Sequence, residues 1–203
     1  MNRKRPIPKS RSKTVKDPLR VLSQDCSERM VLAAAAKFNP ALAQLVSKRI
    51  EHAYRNTKPN DIQIDLLAFI TIRYGEKNKI KYCGKSEAEF LAGIDDLNRS
   101  KLYFLRTGTN GGAGHYQLFY SNAKGEWCNW SSNKNNYPVT NGRGQMTLLG
   151  KRLLRPFGNW GVRQGEYVYV FTEVTEDMLL PCIEYIIDVR TRGEEQAIQR
   201  IFA

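Results

Sequence analysis

The chain has 203 residues, 41% of them hydrophobic, and a formal net charge of +12. That length and apolar content suit one globular domain able to bury roughly 70% of its unfolded surface, and they exclude a wholly disordered chain. No apolar run approaches the ~18 residues of a membrane span and the N-terminus lacks the apolar segment of a secretory signal, so a reducing compartment with free thiols and no transmembrane segment is expected.

The positive charge is unevenly placed. Residues 1–20 hold Arg3, Lys4, Arg5, Lys9, Arg11, Lys13, Lys16 and Arg20 against the single acid Asp17. With Pro6, Pro8 and Pro18 among them, they predict a basic disordered leader, followed by a single α+β domain over residues 21–203. Any attraction for nucleic acid or an anionic surface is expected to reside in that leader.

Met30 to Lys37 is rich in Ala and predicts a helix. After Asn39-Pro40 a second helix shows Leu42, Leu45, Val46, Ile50 and Ala53 at helical spacing, which makes a helical hairpin. Asn60 is expected to cap a third helix carrying Leu66, Leu67, Phe69 and Ile70 and ending at Gly75, although residues 62–72 also have strand character. Ser86 and Glu89 form a capping box ahead of Phe90, Leu91, Ile94 and Leu97.

The pattern then changes to short aromatic segments, Lys101–Arg106, His115–Ser121 and Glu126–Ser131, separated by Gly, Asn and Lys. They predict an antiparallel meander. A helix over Met146–Arg155, a strand over Tyr167–Val174 and a helical C-terminus containing Leu179–Val189 complete the expected order: N-terminal helices, a central antiparallel sheet, C-terminal helices.

The candidate reactive centre is the hairpin that begins at His115. The glycine-rich approach Gly111-Gly-Ala-Gly leaves the start of the strand sterically open, which suits an accessible imidazole acting as a general base. Asn129 on the partner strand is the candidate to fix the imidazole tautomer. Cys26, in Gln24-Asp-Cys-Ser before a helix, and Cys182, near the start of a later helix, are the alternative nucleophiles. The four cysteines, Cys26, Cys83, Cys128 and Cys182, contain no C-x-x-C pair and only two histidines accompany them, so no metal or other cofactor is expected. Gly84-Lys-Ser ends like a phosphate-binding loop, but Lys79 stands where that loop needs its first Gly.

Two resemblances follow from these residues. The order of a glycine-rich approach, His115 on a strand, a hairpin with Trp127 and Asn129, then helix, strand and Cys182 resembles the ubiquitin-like-protein-specific cysteine proteases over roughly residues 100–190. It implies His115 as base, Asn129 as orienting residue and Cys182 as nucleophile, with a ubiquitin-like host protein as partner. Papain-like enzymes, which run in the order Cys, His, Asn, give the same roles to His115 and Asn129 and make Cys26 the nucleophile.

The second resemblance is to the Dot/Icm type IV secretion effectors of Legionella and Coxiella. It is carried by His115-Tyr-Gln-Leu-Phe-Tyr, Trp127, Ser132-Asn-Lys-Asn-Asn, Tyr185-Ile-Ile-Asp-Val-Arg-Thr and the C-terminus Gly193-Glu-Glu-Gln-Ala-Ile-Gln-Arg-Ile-Phe-Ala. It implies a bacterial protein exported into the cytosol or nucleus of a host cell; joined to the cysteine-protease resemblance, the expectation is an effector with thiol hydrolase or acyltransferase activity on a host protein. The alternative is a non-catalytic binding protein, its basic leader and the aromatic side chains Tyr116, Tyr120, Trp127 and Trp130 meeting nucleic acid or acidic host partners.

Overall fold

The computed structural model describes residues 26–60, 62, 64–75, 80–82, 87–109, 114–131, 134–138 and 167–202. The expected leader and the helix expected over Met146–Arg155 lie outside the described residues. The rest is α+β as expected, with helices at both ends of the chain around an antiparallel sheet.

Helix α1 (Cys26–Phe38) carries Glu28 in its first turn and Lys37 in its last, each complementing the helix dipole. Asn39 then caps α2 (Pro40–Tyr54), its Oδ1 accepting from Ala41 N–H at 2.8 Å while Pro40 occupies the first helical position, where no N–H is needed. Helix α3 (Leu66–Tyr74) settles the ambiguity of residues 62–72, and its cap is Asp65 instead of the expected Asn60. The Asp65 Oδ1 accepts from Ala68 N–H at 3.1 Å, whereas the Asn60 amide donates to Val189 O at 3.0 Å and ties this segment to the helix over Glu176–Arg192. Gly75, at φ 71°, ends α3 and donates its N–H to Thr71 O.

After the short strand β1 (Ile80–Tyr82) and α4 (Glu87–Asp95) comes the meander β2 (Leu102–Thr109), β3 (Gly114–Ser121) and β4 (Trp127–Ser131), extended by β5 (Lys134–Pro138). The turn between β3 and β4 is held by the Asn122 Oδ1, which accepts from the N–H groups of Lys124 and Glu126, and by Gly125 at φ 74°. Strand β6 (Tyr167–Val174) enters between β1 and β2, giving the order β1-β6-β2-β3-β4-β5 with every described neighbour antiparallel. Helices α5 (Glu176–Arg192) and α6 (Glu194–Phe202) close the chain.

Alternation along the strands divides the core in two. Tyr116, Leu118 and Tyr120 of β3, with Phe104, Cys128, Val170 and Val174, meet α1, α2, α3 and α5 in the main core. Phe119 of β3 belongs instead to a smaller aromatic core with Tyr103, Leu105, Trp127 and Phe171, closed by Ile94 and Leu97. Phe119 stacks on Trp127 at 4.8 Å between centroids and meets Phe171 edge-on at 4.9 Å.

Candidate functional site

Cys26 is the first residue of α1, so its position is that of a thiol at a helix N-terminus, where unpaired backbone N–H groups and the helix dipole favour a thiolate. Glu28, two residues on, would oppose that effect if its charge were uncompensated. It is 1% exposed and paired with Arg190 of α5, itself 4% exposed, the Arg190 Nε donating to Glu28 Oε1 at 3.3 Å. Tyr54 Oη donates to the same oxygen at 2.9 Å. The Arg190 Nη1 continues to the carbonyls of Asn60 and Ile62 at 2.9 and 2.6 Å. The first turn of α1 is thereby fixed to α2, α5 and the segment before α3.

His115 is the second residue of β3, opposite Thr107 of β2. Two contacts show how α1 lies against that strand. At its far end the Lys37 Nζ sits 3.9 Å over the Tyr120 ring. At its near end Arg190, bound to Glu28, also binds Ile62 O, and three residues further on Asp65 accepts from Tyr116 Oη at 3.3 Å, next to His115. Helix α1 thus packs against β3, with its last turn at Tyr120. The side chains of Cys26 and His115 lie outside the described residues.

Cys182 is placed differently from the expectation. Helix α5 begins at Glu176 after Thr175, so Cys182 is its seventh residue, well inside the helix instead of at its start. Its side chain is fully buried in the main core, and burial pushes its thiol pKa well up, the opposite of an activated nucleophile. Cys128 is likewise a free core thiol, its pKa raised by burial and then by Glu126. Cys83 lies outside the described residues.

Asn129 requires a correction of another kind. It pairs with Phe119, four residues past His115 along β3, a separation of about 13 Å that rules out a direct hydrogen bond to the imidazole. Its Nδ2 donates instead to the Oε1 of Gln117. Both amides are buried, and the Asn129 Oδ1 has no hydrogen-bond partner among the described residues. Gln117 is the residue that sequence reasoning passed over. The signal was a single amide in the otherwise aromatic and aliphatic run from Tyr116 to Tyr120.

The aromatic face expected to meet a binding partner is not a surface. Trp127 is fully buried, and Tyr116 and Tyr120 are core residues whose hydroxyl pKa values burial raises. Trp130's side chain lies outside the described residues. Among the described residues no cluster of His, Cys, Asp and Glu can hold a metal ion, and no helix is long and apolar enough to cross a membrane.

No protein-family model and no curated protein matches the chain. Among solved structures it is similar to the crystal structure of RavD (residues 1–200) from Legionella pneumophila (strain Corby). The identity is 30%, the TM-score 0.55, and the match covers 75% of this chain and 90% of that one. The likeness to Legionella effectors first carried by scattered motifs thus extends over most of the fold, and the chain belongs to the family of the Legionella pneumophila effector RavD.

Proposed function

We propose that the protein is a secreted bacterial effector with cysteine-dependent acyl chemistry on a host protein of the ubiquitin-like kind, with Cys26 as nucleophile and His115 as base. The observation that supports this reading is that Cys26 stands at the start of α1, a helix packed against β3, the strand on which His115 lies. Kinship with RavD supports the effector part, and the order Cys, His along the chain resembles papain-like enzymes. Helix α1 covers the Tyr116 face of the sheet, while strand alternation puts His115 in phase with Gln117 and Phe119. The imidazole therefore has to reach the thiol around the end of the sheet, where Gly114, the first residue of β3, presents no side chain.

In this reading the His115 imidazole takes the Cys26 proton and the thiolate attacks the acyl carbon. The imidazolium then protonates the departing amine as the thioester forms. Water completes hydrolysis, or a second amine takes the acyl group in a transfer. Backbone N–H groups at the start of α1 would serve to stabilise the oxyanion in this reading.

The test is the alkylation rate of each thiol in the folded wild type and in a folded His115→Ala variant. Fast labelling of Cys26 at neutral pH that slows about tenfold or more in the variant is expected. Equal, slow labelling of all four thiols in both proteins would end the enzymatic reading.

A further inference from the structure

Taking a carboxylate and a guanidinium out of water together costs more than burying two apolar side chains of the same size, so stability alone does not account for such a pair in a core. Glu28 and Arg190 are 1% and 4% exposed, and the core residues Met30, Val31, Ile187 and Val189 lie close to them in their helices. The bonds around Arg190 join three parts of the chain. Its Nε donates to Glu28 Oε1 in the first turn of α1, and its Nη1 donates to Asn60 O and Ile62 O ahead of α3. In return the Asn60 N–H donates to Arg190 O at 3.0 Å and the Asn60 side-chain amide donates to Val189 O. The last turn of α5 and the segment at Asn60 and Ile62 are thus bonded in both directions, which gives the guanidinium a fixed place from which to meet Glu28.

That placement has an electrostatic consequence. Glu28 stands two residues after Cys26 in α1, so their Cα atoms are about 5.4 Å apart by helix geometry. At that range a carboxylate held out of water raises the cost of a second negative charge, with no contact between the two side chains required. It would cancel the help that a helix N-terminus gives to a thiolate. The Arg190 cation offsets the charge at its source, whereas the Tyr54 hydroxyl, donating to the same Glu28 oxygen, brings no positive charge to it.

On the reading of Cys26 as nucleophile given above, we propose that Arg190 is a positioning residue of the site: held by the carbonyls of Asn60 and Ile62, it neutralises Glu28 within the first turn of α1 and so lets the helix start carry the Cys26 thiolate. It acts through Glu28 and has no role in touching substrate. The charge balance at the start of α1 therefore depends on a residue of α5, 162 positions further along the chain than Glu28.

The experiment follows Cys26 alkylation in the full chain from about pH 5 to about pH 10, thiol by thiol by mass spectrometry, with the fold of each variant checked by circular dichroism. In the wild type a midpoint below the ordinary thiol value of about 8.5 is expected. Arg190→Met, which keeps bulk but leaves the carboxylate unanswered, is expected to raise that midpoint by about one unit and to slow labelling at neutral pH about tenfold. Glu28→Gln, which keeps the shape and the Arg190 cation, is expected to move the midpoint the other way. Glu28→Leu with Arg190→Met, which removes both charges, is expected to bring it back close to the wild-type value. A clamp that only holds the helix in place would not give shifts of opposite sign. An unchanged midpoint in folded Arg190→Met, or a double variant shifted as far as the single one, would overturn the proposal. If Arg190→Met does not fold, Glu28→Gln decides: a midpoint at or above that of the wild type overturns it. If it fails in either way while wild-type Cys26 keeps a low midpoint and its sensitivity to His115→Ala, the Cys26–His115 pair survives without Arg190. A wild-type Cys26 that titrates like an ordinary thiol and ignores His115→Ala would bring down both.

Discussion

Replacing Glu28 by Ala probes the buried ion pair that holds the first turn of α1. With Glu28 1% and Arg190 4% exposed, the guanidinium left behind loses its buried counter-charge, and breaking such a pair costs about 3–5 kcal/mol. For a domain of this size each kcal/mol lowers the melting temperature by about 2–4 °C, so a fall of roughly 6–20 °C is expected by thermal unfolding. The double variant Glu28→Leu with Arg190→Met removes both charges. It still leaves the carbonyls of Asn60 and Ile62 without their guanidinium donor, for a cost of about 1–3 kcal/mol. The double variant should therefore be more stable than Glu28→Ala alone. A loss below about 1 kcal/mol in Glu28→Ala, or a double variant less stable than the single one, would refute the view that this pair is a desolvated clamp.

Phe119→Ala should cost about 3–5 kcal/mol by chemical denaturation, because the ring fills the space between Trp127 and Phe171. A cost under 1 kcal/mol would mean the small core is not packed as described. Cys182 should resist alkylation until the protein unfolds, and Cys182→Ala should leave Cys26 labelling unchanged. Rapid native labelling of Cys182 would contradict its place inside α5. Stability should hold from neutral pH to about pH 9 and then fall towards pH 12. Burial raises the Tyr120 and Tyr185 hydroxyls from 10.0 to about 12 and also raises Cys182 from 9.0, so the unfolded chain loses these protons first and is favoured as pH rises. Denaturant midpoints that stay flat through pH 11 would contradict it.

Local chemistry made much of this fold legible. Asn39-Pro40 marks the break between α1 and α2 because its cap and its ring act within two residues, and β6 follows from an unbroken β-favouring run over Tyr167–Val174. What sequence alone misses is non-local. Strand β1 has three residues and exists by pairing with β6, some ninety residues later, and the insertion of β6 between β1 and β2 leaves no local trace. Asn60 looks like a cap because Asn, Asp and Ser share that chemistry, but its Oδ1 accepts from Ile62 N–H ahead of the helix and its amide donates to Val189 O.

The site was legible to the same extent. A thiol at a helix start and an imidazole at a strand start could both be read from local pattern. Seeing that Cys182 does not stand at a helix start needed the true start of α5, which lies at Glu176 even though Pro181 falls inside the helix. The role of Asn129 depended on hairpin register, and a displacement of four residues moves it from the imidazole to Gln117.

The most direct test of the central claim is the separation of the Cys26 Sγ from the nearer ring nitrogen of His115 in a crystal structure of the full chain. A working Cys26–His115 pair requires about 3.5 Å, within reach for proton transfer from thiol to imidazole. A separation above about 8 Å, with the imidazole held on the Phe119 side of the sheet, would contradict it.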